Sequence, residues 1–90
     1  MTVETSGETA KRVEIELRGV GIVASGTMTY QQLVDELVRI AEEHDLVSFR
    51  VFVQSHEGVT EVLDKEHLRQ LWPSLPDAVR FIIVRAEFGG

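Results

Sequence analysis

Within Lys11 to Arg18 apolar and polar residues alternate from Arg12 onward, with Val13, Ile15 and Leu17 on one side and Glu14, Glu16 and Arg18 on the other. A period of two predicts a strand with one buried and one wet face. Gly19-Val20-Gly21 supplies a turn signal and Ile22-Val23-Ala24 a second β-branched run, so the two segments predict an antiparallel hairpin. The period then changes. Leu33, Val34, Leu37, Ile40 and Ala41 recur at helical spacing, while Asp35, Glu36, Arg39, Glu42 and Glu43 take the opposite face. Thr29, with Gln32 three residues later, is the capping-box pattern that starts this helix; it should end near His44 or Asp45.

Ser48 to Gln54 returns to strand chemistry, with Phe49, Val51 and Val53 sharing one face and Arg50, Phe52 and Gln54 the other. Ser55-His56-Glu57-Gly58 reads as a turn and Val59 to Leu63 as a short strand. Asp64 caps a short helix to about Leu71, which with Leu68 and Trp72 can plug one end of the core. Pro73 and Pro76 bracket a loop, and Val79 to Arg85 carries Phe81-Ile82-Ile83-Val84, the longest apolar run, suited to a central strand. Residues 1–10 show no periodicity and predict a flexible tail ahead of a domain at 11–86, with 87–90 as a second tail.

A hairpin followed by a helix crosses back over one sheet face, and the right-handed crossover rule puts the third strand on the far side of the first. With the last strand central beside the first, the order predicts an α+β fold of the β-grasp type. Four to five strands of a mixed sheet grip one main helix, and a short second helix completes the domain.

Composition narrows the chemistry. Ninety residues are one small domain, and 43% hydrophobic with 27% charged is a globular balance. No cysteine is present, which removes disulfides, thiolate metal sites and a nucleophilic thiol, and is compatible with a cytoplasmic location. No apolar run is long enough to span a bilayer and residues 1–7 lack the pattern of a signal peptide. A net charge of −6, with scattered basic residues, argues against nucleic acid and anionic membranes as partners. Lysine occurs only at Lys11 and Lys65.

Candidate catalytic groupings fail on spacing. His56-Glu57 lacks the second histidine of a zinc-binding helix, and His44-Asp45 with Ser48 is local adjacency at a helix end. Glu42-Glu43-Asp45 reads as a solvated face, and Gly19-Val20-Gly21 is too short for a phosphate loop. No catalytic residue, no metal site and no cofactor are expected.

The element order, the Thr-capped helix and the ending Phe88-Gly89-Gly90 together resemble ubiquitin-like proteins. In type the chain is most similar to the small archaeal modifiers and related prokaryotic ubiquitin-like and sulfur-carrier proteins. The resemblance covers about Lys11 to Gly90 as topology and terminus. Ser55 to Arg80 is longer than the matching part of ubiquitin, and Glu87 and Phe88 stand where ubiquitin is basic.

The resemblance implies that an activating enzyme adenylates the Gly90 carboxylate with ATP, Gly89 and Gly90 giving an end thin enough to thread to the nucleotide. The acyl group then passes to a lysine of a target protein, or takes sulfur from a sulfurtransferase to become a thiocarboxylate for molybdopterin, thiamine or tRNA thiolation. A ubiquitin-fold interaction module without activation is the third possibility. In the first two this chain is the group carried and not the enzyme. If chains form, Lys11 and Lys65 are the lysine acceptors beside the α-amino group, Lys11 the more reachable at its tail junction. Phe52, Ile82 and Val84, with Val20 at the rim, are expected to form a partner-binding patch on the uncovered sheet face.

Overall fold

The computed structural model describes residues 9–86. Five strands and two α-helices follow in the order β1 (Lys11–Leu17), β2 (Gly21–Met28), α1 (Tyr30–Glu43), β3 (Phe49–Ser55), β4 (Gly58–Val62), α2 (Lys65–Leu71) and β5 (Ala78–Arg85). A single 3-10 turn, Trp72–Ser74, follows α2.

The sheet order is β2-β1-β5-β3-β4. β1 and β5 run parallel, and the other pairs are antiparallel. The last strand is therefore central and beside the first, and the third lies across it, as the crossover argument requires. This compact α+β arrangement, a mixed five-stranded sheet with one main and one short helix, is β-grasp-like.

One face of the sheet carries the core. Val13, Ile15 and Leu17 of β1, Val51 and Val53 of β3, and Phe81 and Ile83 of β5 are buried against Leu33, Val34 and Ile40 of α1. Leu68 and Trp72 close one end of that core, as expected, while Leu71 is only partly buried.

Local chemistry sets the boundaries. Thr29 Oγ1 accepts from the Gln32 amide at 3.2 Å and Gln32 Oε1 accepts from the Thr29 amide at 2.9 Å, so both halves of the capping box form. Asp64 accepts from the His67 amide at 2.8 Å and starts α2. Gly19, at φ +91°, makes the first turn, and Ser55 pairs with Gly58 around His56-Glu57 in the second.

Two expectations need correction. β2 is not limited to Ile22–Ala24 but continues to Met28, because Ser25, Gly26 and Thr27 pair by backbone with Glu14, Val13 and Arg12. Side-chain patterning could not show this, since ladder bonds need no apolar partner. Just ahead of β1, the Trp72 indole donates to the Thr9 carbonyl at 2.9 Å. The second concerns Lys11. It is 4% exposed, its ammonium donating to the Leu75 carbonyl at 2.8 Å and lying 5.5 Å from the Trp72 ring centre. Lys11 is thus the less reachable lysine: its stem faces the core in step with Val13, and the loop before β5 supplies its partner. Lys65 is exposed.

Candidate functional site

The residues expected to carry chemistry, Gly89 and Gly90, lie outside the described residues, as do the tails at 1–8 and 87–90. The strand leading to them is described. Arg85 of β5 pairs with Phe49, and the Ala86 amide donates to the Ser48 carbonyl at 3.0 Å, so backbone bonds hold the chain to the sheet through residue 86. Gly89 follows four residues after Arg85.

The second expected feature is the uncovered face of the sheet. The alternation that buries Val51 and Val53 turns Phe52 outward, and burial of Phe81 and Ile83 turns Ile82 and Val84 outward. Phe52 stands directly opposite Ile82, and Ile82 stands beside Glu16 of β1. Val84 is one step further along β5, opposite Arg50. All three apolar side chains are half-buried. Val20 is 63% exposed, but it belongs to the β1–β2 turn and not to the strand face.

One apolar neighbour was missed by pattern reading. A bulge between Ile15 and Glu16 shifts the β2 register, pairing Glu16 with Ile22, which brings Ile22 onto the outer face at 50% exposure. A bulge leaves no signature in a period-two count, although the Gly21-Ile22 start of the strand carries the residue itself.

Charge frames this strip. Arg50 forms two hydrogen bonds to Glu61, both 2.9 Å, and its guanidinium lies 5.6 Å from the Phe52 ring centre. On the other side Arg80 reaches Glu14 at 2.9 Å and Glu16 at 3.5 Å. Hydrogen bonding from Arg50 holds the Glu61 carboxyl below its ordinary range. The face is thus a narrow apolar strip between two paired charge clusters.

Among the described residues no cluster of three or more His, Asp or Glu could hold a metal ion, and no helix is long and apolar enough to cross a membrane. His56 and Glu57 are both exposed in the β3–β4 turn, with their side chains 4.0 Å apart. No protein-family model, curated protein or solved structure matches the chain.

Proposed function

We propose that this chain is a ubiquitin-like protein modifier, carried as an acyl group through Gly90. The observation that supports it is the placement of Phe88-Gly89-Gly90 directly beyond a central, backbone-anchored last strand of a β-grasp-like sheet. Glycine has no Cβ and admits backbone angles that a narrow enzyme channel requires.

The chemistry is that of a carboxylate made electrophilic. A Gly90 carboxylate oxygen attacks the α-phosphorus of ATP, expelling pyrophosphate and leaving an acyl-adenylate on the activating enzyme. A target lysine amine then attacks the acyl carbon, AMP leaves and the nitrogen loses a proton, forming an isopeptide bond. The strip of Phe52, Ile82 and Val84 is the surface by which the activating enzyme recognises the body. Catalysis is the partner's.

Intact mass after incubation with ATP and the adenylating enzyme of the same cell tests this. Gly-Gly remnants on target lysines support the modifier. Replacement of one Gly90 oxygen by sulfur, with no remnants, assigns the chain to sulfur delivery instead. Absence of both products, with cellular function intact after deletion of Gly89 and Gly90, overturns activation altogether. If the chain extends itself, Lys65 is the acceptor, because Lys11 is buried and its ammonium already bonded.

A further inference from the structure

The helix-bearing side of the sheet is not evenly covered. α1 packs nearest β2 and α2 nearest β4. Between them a groove of about 700 Å³ remains, walled by Leu37, Val38, Ala41, Phe49, Val62 and Leu63. Val38 and Leu63 on its walls are 51% and 71% exposed, large for apolar side chains that face a concavity.

Its rim is acidic. Glu42, Asp45 and Asp64 stand there against one cation, Lys65. Asp64 is engaged in capping α2, but among the described residues Glu42 and Asp45 enter no ion pair. Both lie at the C-terminal end of α1, where the helix dipole disfavours negative charge, and the last turn has no basic residue. Asp45 also sits at φ +57°, in the left-handed region where glycine is the ordinary choice. Local stability would favour other residues at both positions, and such conflicts concentrate where a surface has another use.

We propose that this groove receives the apolar face of a basic amphipathic helix from a partner protein. The apolar walls accept side chains at helical spacing, and the unpaired rim carboxylates meet the Lys or Arg flanks. The other occupants fit less well. An anionic lipid headgroup meets the same carboxylates. So does a second copy of this chain, at net charge −6, and so does its own Glu87-Phe88 segment, which brings a further carboxylate. The groove abuts the end of the sheet where β5 leaves, since Phe49 lines it and pairs with Arg85. Docking there does not require activation of Gly90, so this proposal stands or falls apart from the modifier reading.

The test is an NMR titration of the full 15N-labelled chain with a peptide of about 18 residues, Leu at helical spacing and Lys elsewhere. A second peptide with Glu in place of every Lys is the control. Saturable shifts centred on Val38, Val62 and Leu63, absent with the Glu peptide, support the proposal. The double variant Glu42→Lys, Asp45→Lys should weaken the Lys peptide about three- to tenfold. Retention of the variant's dispersed amide spectrum excludes loss of fold as the cause of weaker binding. Leu63→Asp should weaken it too.

Equal binding of the Glu peptide, shifts centred on Phe52 and Ile82, or unchanged affinity in the folded double variant overturns the proposal. It is also overturned if the groove resonances move with protein concentration alone, which assigns the groove to a second copy. Movement on deletion of residues 87–90 assigns it to the chain's own tail and overturns it likewise.

Discussion

Asp45 shows how much one backbone angle can reveal. The Leu46 amide bonds the Ala41 carbonyl at 2.8 Å and the Asp45 amide bonds that of Glu42 at 3.3 Å, the paired bonds of a Schellman helix end. Buried Leu46 supplies the apolar contact that accompanies the motif. Asp45 occupies the left-handed position, so Asp45→Gly should raise stability by about 0.5 to 1.5 kcal/mol in urea denaturation. Asp45→Ala should give no comparable gain, because it keeps the Cβ that conflicts with this angle. The sequence placed the helix end near His44 or Asp45 but contained no glycine to mark it. The pattern located the boundary, and only the backbone showed its strain.

At the scale of the element, β5 carries the most consequence. Its apolar run had no internal sign of which residues face the core, since Phe81, Ile82, Ile83 and Val84 are all apolar. Pairing with β1 and β3 decides it: Phe81 and Ile83 are fully buried, and Ile82 is half-exposed beside Phe52. Phe81→Ala should therefore cost about 3 to 5 kcal/mol. Ile82→Ala should cost about 1 kcal/mol. Reversal of that order in chemical denaturation would mean a one-residue slip, which turns every side chain to the other face. Lys11 gives the matching lesson at the start of β1. It reads as the polar residue before a strand, yet it shares the inward face with Val13, and its charge is accommodated by the Leu75 carbonyl and the Trp72 ring.

Across the whole molecule, surface charge should leave a small mark on acid stability. Hydrogen bonding and attraction from Arg50 lower the Glu61 pKa in the folded state. A lowered carboxyl pKa stabilises the fold above the unfolded value, about 4.3, and that stabilisation is lost as pH falls through the folded value. The melting-temperature difference between the protein and its Glu61→Gln variant should shrink from about pH 5 to about pH 2. The pair is exposed, so the effect stays modest and salt-sensitive. A difference that grew on acidification would contradict the assigned pairing.

The hydrophobic period and the caps at Thr29 and Asp64 were legible along the chain because they depend on neighbours within one turn or one strand. The β-grasp-like order followed from them, since handedness and the length of the last apolar run leave few ways to close the sheet. Four features depend on partners far apart in sequence: the extension of β2 to Met28, the bulge that exposes Ile22, the burial of Lys11 under Trp72 and the groove between α1 and α2. None has a local pattern, because backbone pairing, a carbonyl 64 residues away and the gap between two helices come into being only when the sheet is assembled. The sequence alone determined which elements form and in what order. Tertiary packing decided which of their side chains remain available to another molecule.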